Sequence, residues 1–238
     1  VSAGGGSIGW LDAGGALRVG PRSAGALPGP ACYGRGGTQP TVTDAFLAVG
    51  WIPDGSLLGG SVRVRRDLAV KAIEDLAARA GLDVPCCALG MIKVAEATMA
   101  RALRRVSVER GLDPAGLTLV AFGGAGPLCG CALAELTGVR RVLLPPLAGV
   151  LSALGMAAAR DVAERSAAVH LPAAEFGAMA ELLAAPLADR VLQDLPGGEI
   201  AYVAECRYAG QGYELDVPVR RGAWESVAED FHETHLRA

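Results

Sequence analysis

Basic residues are not in excess in this sequence, and lysine is nearly absent. Lysine and arginine together number 22 against 25 aspartates and glutamates, and Lys71 and Lys93 are the only lysines. The net charge of −3 does not indicate the basic surface with which nucleic-acid-binding proteins neutralise phosphates. We therefore expect no nucleic-acid partner.

Paired cysteines and long apolar runs are missing as well. None of the 6 cysteines belongs to a C-x-x-C pair. A chain of 238 residues can bury a sizeable core without disulfides, so free thiols in the cytoplasm are expected. The uncharged stretch 142–159 is broken by two prolines and a glycine, which argues against a membrane span.

A strand, a glycine turn and a helix are predicted in residues 117–137. The apolar run 117–122 is β-rich, Pro127 suits the first turn of a helix, and Gly138 suits its end. A ligand can approach the backbone closely at the intervening glycines, where free N–H groups favour anions or polar ligand edges. Simple packing of a helix on a strand explains the same pattern. A further strand at 141–144 predicts a parallel, right-handed crossover.

The periodicity of the remaining sequence predicts more helices than strands. Helices are expected over 67–80, 85–111 and 173–192, and a strand over 162–170. Alternating residues in 199–208 and 213–219 predict an antiparallel pair around a Gly-Gln-Gly turn.

Residues 20–44, GPRSAGALPGPACYGRGGTQPTVTD, form a loop too rich in glycine and proline for a helix or a central strand. This loop resembles the hydantoinase A/5-oxoprolinase family, together with the run 3–19 and the segments RALRRVSVERGLDP (101–114), LVAFGGAGPL (119–128) and PPLAGVLSALGM (145–156). The segments occur in the family's order. A later piece, YAGQGYEL (208–215), resembles the family's tyrosine-glycine-glutamine strand pair.

The resemblance implies an α/β fold that is part of an actin-like ATPase lobe, of the kind found in sugar kinases and Hsp70. Residues 1–160 would form this partial lobe, with a helical insertion at about 66–111. Residues 161–238 would begin a C-terminal α+β extension. The family's two phosphate-binding hairpins are expected upstream of Val1. We therefore expect a truncated piece of a longer protein, inactive by itself.

The resemblance also implies an activity and its cofactors. The family uses ATP and Mg²⁺ to open cyclic amides such as hydantoin or 5-oxoproline, by moving the γ-phosphate onto the amide oxygen. The alternative is a nucleotide-binding and assembly subunit of an ATP-dependent ketone carboxylase. In either case we expect a B-type partner subunit or domain in a homo- or hetero-oligomer.

Candidate site residues follow from these motifs. The adenosine of ATP is expected at Gly123, Gly124, Ala125 and Gly126. Asp44 is the candidate to bind Mg²⁺ or to orient the attacking water, and an N-cap is its structural alternative. Residues that could contact substrate or phosphate are Gly5, Gly6, Arg22, Arg35, Gly36 and Gly37, with surface charge as the alternative role of the two arginines.

Three further positions leave alternatives open. Cys32 could line the substrate site, although a buried structural cysteine is favoured because nothing nearby activates its thiol. His232 and His235 are spaced for shared metal ligation, but a solvated helix face is favoured. Cys129 stands where the family usually has histidine, which puts activity or specificity in question.

Overall fold

A computed structural model of the chain describes residues 4–237 as a mixture of helices and short strands. The chain divides into two compact units, the first ending at Ala157 and the second beginning at Ala158. Across the described range, none of the helices combines the length and the apolar character that crossing a membrane requires. All six cysteines are free.

The core of the first unit forms where three helices meet. These are α1 (Val42–Ala48), α2 (Arg66–Ala80) and α3 (Val84–Val106). The predicted helices at 67–80 and 85–111 are confirmed as α2 and α3, although α3 gives way to a 3-10 turn before Gly111. Large side chains buried in this core are Phe46, Ile73, Leu76, Met91 and Ile92.

An antiparallel hairpin packs on these helices. Its strands are β1 (Ser7–Leu11) and β2 (Leu17–Ser23). A Cβ atom on Gly9 would lie 2.6 Å from Cε of Met91, the flexible end of that side chain, so β1 packs closely on α3 at this glycine. A second, shorter hairpin, β3 (Leu57–Leu58) with β4 (Val62–Arg63), precedes α2.

The predicted strand–turn–helix–strand is present in the same unit. Strand β5 (Thr118–Val120) leads to α4 (Gly126–Thr137), which ends at a left-handed Gly138, and β6 (Arg141–Leu143) then pairs parallel with β5. Both strands are shorter than predicted. The unit closes with α5 (Leu151–Ala158), at whose end the division of the chain falls.

The second unit places two helices against one antiparallel pair of strands. Helix α6 (Ala173–Asp194) is followed by β7 (Tyr202–Cys206), β8 (Leu215–Val219) and α7 (Val227–Arg237). The predicted antiparallel pair is therefore confirmed. Its small core includes Val219, Trp224 and Val227.

The strand expected at 162–170 is wrong. These residues have no regular secondary structure, and the Val162 side chain is exposed. Within the described part of the chain no strand pairs with this segment. Apolar residues alone did not make a strand here, because a strand also needs a neighbour for its backbone hydrogen bonds.

Candidate functional site

The glycine- and proline-rich loop between β2 and α1 is held from inside by one carboxylate. Asp44 is fully buried, and its Oδ2 accepts hydrogen bonds from the backbone N–H and the hydroxyl of Thr41, at 2.9 and 2.7 Å. The backbone N–H of Ala31 donates to the same oxygen at 3.2 Å, and that of Cys32 donates to Oδ1 at 2.7 Å. Asp44 therefore ties the middle of the loop to its end.

The same carboxylate belongs to a capping box. The hydroxyl of Thr41 accepts a hydrogen bond from the backbone N–H of Asp44, so that each residue satisfies the other at the start of α1. Thr41 is the N-cap and Asp44 is the third helical residue. The structural alternative predicted from the sequence, that Asp44 itself is the N-cap, is wrong. The N-cap is Thr41, three residues earlier.

Asp44 does not fit a magnesium site in this geometry. Its two oxygens accept hydrogen bonds from four protein donors, and the side chain has no exposed surface. Over residues 4–237, no three or more His, Cys, Asp and Glu side chains are grouped so that they could hold a metal ion. A hard cation such as Mg²⁺ needs several oxygen ligands with open faces.

Cys32 and Tyr33 continue the buried side of the loop. Burial, with a smaller contribution from the charge of Asp44, raises the pKa of the Cys32 thiol far above its ordinary value. The thiol therefore stays protonated, which favours the structural role over a reactive one. Burial likewise raises the pKa of Tyr33, and the Thr43 side chain partly opposes this rise.

Gly29 and Gly37 allow the loop to cross itself. A Cβ atom on Gly37 would lie 2.3 Å from the carbonyl oxygen of Gly29 and 3.2 Å from the backbone nitrogen of Ala31. Gly29 itself has a φ of +76°, a backbone conformation that residues other than glycine rarely adopt. The glycine content of this loop thus has a packing reason at two positions.

Gly5 and Gly6 lie against the same loop and helix. The backbone N–H of Thr43 donates to the carbonyl of Gly5 at 2.8 Å, and a Cβ atom on Gly5 would lie 2.6 Å from the Thr43 hydroxyl. A Cβ atom on Gly6 would lie 2.9 Å from the hydroxyl of Ser23. The structure brings these two predicted residues together with the loop, through backbone contacts.

Arg35 and Gly36 are exposed on the outside of the loop, whereas Arg22 is exposed on β2, because that strand extends to Ser23 into the stretch predicted as a loop. Neither Arg22 nor Arg35 forms an ion pair within residues 4–237, whereas Arg18 and Arg65 are each paired with an aspartate. Gly36 has a φ of +90° and open space where a side chain would stand. The loop therefore has a fixed inner layer and an accessible, positively charged outer side.

The glycine turn between β5 and α4 presents open backbone. Gly123, with a φ of +81°, donates its backbone N–H to the carbonyl of Ala148 at 2.8 Å. Gly124 is exposed, and no atom lies within 4 Å of the position that its Cβ would take. Ala125 is the N-cap of α4, and its side chain cannot accept a hydrogen bond. No capping side chain therefore occupies the backbone N–H groups of the first turn of α4.

These motifs match a known family. The family model described as Hydantoinase/oxoprolinase matches residues 1–165.

The chain belongs to the hydantoinase/oxoprolinase family.

Relatives of this family member include enzymes of two kinds. The alpha subunit of the caprolactamase of Pseudomonas jessenii is 40% identical over 252 residues, which covers 99% of this chain and 36% of that protein. The gamma subunit of the acetophenone carboxylase of Aromatoleum aromaticum is 41% identical over 158 residues, covering 65% of this chain and 21% of that subunit. The crystal structure of the ATP-dependent caprolactamase from Pseudomonas jessenii matches with a TM-score of 0.67 and 37% identity, over 98% of this chain and 36% of that one. The chain thus spans little more than a third of the length of the caprolactamase.

In this member of the hydantoinase/oxoprolinase family, Cys129 lies buried directly behind the glycine turn. Burial, with a smaller contribution from the charge of Glu96, raises the pKa of its thiol to about 11. Cys129 belongs to the same core as Phe46, and Ala125 and Leu128 pack against that core. The loop is supported by a separate cluster, in which Cys32 packs with Leu47, Val64 and Ala69.

Glu96 is a residue that the sequence analysis missed. Its side chain lies in the interior of the first unit with 6% of its surface exposed, and its Oε1 has no hydrogen-bond partner within the described range. Burial raises its pKa, Glu135 adds to the rise, and Lys93 opposes it. The helical periodicity of the sequence could have revealed this burial, because Glu96 follows Ile92 by four positions on the apolar stripe of α3.

The two histidines of α7 in the second unit are engaged by the Gly-Gln-Gly turn. The hydroxyl of Tyr208 lies 2.6 Å from Nδ1 of His232, and Nε2 of Gln211 lies 2.8 Å from Nε2 of His235. The Tyr208 ring also stacks on His232. Sequence reasoning favoured a solvated face here. The structure instead uses both histidines to bind the turn to the helix.

Proposed function

We propose that the chain is the nucleotide-binding part of an ATP-dependent enzyme that opens cyclic amides. The single observation that carries the proposal is the open glycine turn 123–126, in a chain whose relative, the caprolactamase, is described as ATP-dependent. In this proposal the flat backbone at Gly124 lies against the adenosine, because a side chain there would block its approach. The lobe around it is actin-like.

The loop between β2 and α1 is the proposed substrate side of the site. Arg22 and Arg35 are exposed cations that could pair with a phosphate or a substrate carboxylate. The open space at Gly36 lets such a group approach the backbone. Gly37 packs against Gly29 beside it, and Gly5 and Gly6 support the loop from behind. In the proposed reaction, ATP, a lactam and two water molecules yield ADP, phosphate and the ring-opened amino acid.

Further parts of the parent enzyme lie outside this chain in the proposal. The phosphate-binding hairpins and the residues that hold Mg²⁺ belong to other segments, since Asp44 does not fit that ion. A partner subunit also belongs to the proposal, because the caprolactamase and acetophenone carboxylase relatives are themselves named as subunits.

The experiment combines the longer protein that contains this chain with its partner subunit. ATP is supplied with 5-oxoproline, hydantoin or caprolactam, and both phosphate release and ring-opened product are measured. ATP-dependent ring opening of any of these supports the proposal. The isolated residues 1–238 are the control, and we expect no turnover from them. Absence of ring opening by an assembly that binds ATP would contradict the proposal.

A ketone carboxylase is the second candidate, because the acetophenone carboxylase gamma subunit is 41% identical over 158 residues. The same assembly with ATP, bicarbonate and acetophenone tests it. Carboxylated ketone as the only product would decide for this candidate.

A further inference from the structure

The loop that forms the proposed substrate side has little regular structure of its own. Between β2 and α1 it contains one 3-10 turn, Ala31–Tyr33, and the exposed stretch before it includes Leu27, 78% of whose surface is accessible. A segment of this kind loses much conformational entropy when it is ordered, so specific contacts must fix its shape.

Asp44 supplies the contacts at the centre of the loop. Three backbone N–H groups and one hydroxyl converge on its carboxylate, and the donors come from both ends of a segment that starts at Ala31 and ends at Thr41. Buried N–H groups require acceptors, and an ionised carboxylate is an especially strong acceptor for several of them at once.

A second set of contacts fixes the same end of the loop to β1. The backbone N–H of Gly9 donates to the carbonyl of Pro40 at 2.8 Å, and Ile8 forms an isolated bridge with Thr41. The loop therefore closes between two rigid elements, β1 and α1, while Arg35 and Gly36 remain on its exposed side.

We infer that Asp44 is a positioning residue, which acts on the substrate through the shape of the loop and without binding a metal ion. The inference rests on the proposed function, in which the outer side of the loop meets the lactam. In this role the Asp44 carboxylate holds the backbone of the loop in place, through the four hydrogen bonds that it accepts. Arg35 and the Gly36-Gly37 backbone lie between the donors Cys32 and Thr41, so they would hold a productive geometry only while Asp44 keeps the inner layer in place.

The first test reads the shape of the loop in this chain directly. Asp44→Asn turns one acceptor atom into an N–H donor that faces other donors, and Thr41→Val removes one donor while keeping the size of the side chain. Trypsin cleaves after exposed arginines, so cleavage after Arg35 reports on loosening. We expect at least tenfold faster cleavage there in Asp44→Asn, and a smaller increase in Thr41→Val.

Asp83→Asn is the matched control. Asp83 is an exposed cap of α3 that accepts a hydrogen bond from the backbone N–H of Cys86, away from the loop. Cleavage after Arg35 should keep its wild-type rate in this variant. Wild-type rates in both Asp44→Asn and Thr41→Val would overturn the inference. Thr41→Val also keeps the test decisive if Asp44→Asn fails to fold.

The second test separates positioning from metal binding in the longer, active protein. A positioning role predicts that Asp44→Asn raises the lactam KM at least tenfold, while the Mg²⁺ concentration for half-maximal turnover and the affinity for ATP stay as in the wild type. A tenfold higher Mg²⁺ requirement with an unchanged lactam KM would overturn the inference. If the wild type opens no lactam, the proposed function fails, and the trypsin result still decides whether Asp44 shapes the loop.

Discussion

The backbone of Gly37 passes so close to the carbonyl of Gly29 that a Cβ atom on Gly37 would lie 2.3 Å from that oxygen. Because the obstacle is backbone, a side chain cannot simply rotate away. We predict that Gly37→Ala destabilises the first unit by about 1–3 kcal/mol, the usual cost of overpacking. Thermal melting would show this as a lower Tm.

Gly116→Ala is the control for that substitution. Gly116 has no atom within 4 Å of its Cβ position and its φ lies outside the left-handed region. Its melting curve should stay close to the wild type, within about 0.5 kcal/mol. An equal loss of stability in both variants would mean that the crossing of Gly29 and Gly37 has no special role.

Gly124 offers a variant that affects a ligand without affecting the fold. Because the space above it is open, Gly124→Val should leave the melting curve nearly unchanged. In the longer protein that we propose to bind ATP, the branched side chain should weaken nucleotide binding about a hundredfold, roughly 3 kcal/mol. Calorimetric titration with ATP measures this, and Gly116→Val is the matched control. Wild-type ATP affinity in Gly124→Val would remove Gly124 from the nucleotide site.

We predict that the buried Glu96 gives the free energy of unfolding an unusual dependence on pH. Its pKa is raised in the folded state from an ordinary value of 4.5, chiefly by burial. The folded state therefore favours the protonated carboxyl. The contribution of Glu96 to the free energy of unfolding is highest at acidic pH, where its carboxyl is protonated, and falls as the pH rises through the folded-state pKa. Glu96→Gln removes the titration while keeping the shape of the side chain.

Urea unfolding at several pH values compares the two proteins. Below about pH 4, Glu96→Gln and wild type should be equally stable, because both side chains are then neutral. Above pH 4.5, Glu96→Gln should become progressively more stable than wild type. A difference that is independent of pH would show that Glu96 titrates normally.

The Gly-Gln-Gly turn should depend on Tyr208 for its attachment to α7. Tyr208→Phe keeps the ring that stacks on His232 and removes the hydroxyl 2.6 Å from its Nδ1. A half-exposed hydrogen bond of this kind contributes about 1 kcal/mol. Hydrogen exchange, followed by mass spectrometry, should therefore be several times faster in the turn of Tyr208→Phe.

Tyr213→Phe is the matched control, since Tyr213 follows the same turn and is 58% exposed. Exchange in the turn should stay at the wild-type rate. If Tyr208→Phe also left exchange unchanged, the stacked ring alone would account for the attachment.

The parts of the fold that could be read from the sequence are those with local causes. Pro127 and Gly138 delimit α4 because proline suits a first helical turn and glycine suits a left-handed C-cap, and Gly81 does the same at the end of α2. The antiparallel pair β7 and β8 followed from alternation on either side of a turn.

Long-range pairing is what the sequence did not determine. Residues 162–170 have strand-like composition and no partner strand among the described residues. For Asp44, type and spacing indicated a carboxylate at the start of a helix, but not that Ala31 and Cys32, a dozen residues earlier in the chain, would donate to it. The predicted contacts of Gly123–Gly126 and of Arg22 and Arg35 with ligands stay predictions.

The distribution of the thiols has a practical consequence. Cys32, Cys87 and Cys129 are buried with raised pKa values, and the exposed Cys86 has its pKa raised by a hydrogen bond to Asp83. Cys131 is exposed on α4, five residues after Gly126. A maleimide dye used at limiting concentration should therefore label Cys131 first. This gives the unmutated chain an optical reporter about one and a half helical turns from the glycines that we expect to meet adenosine.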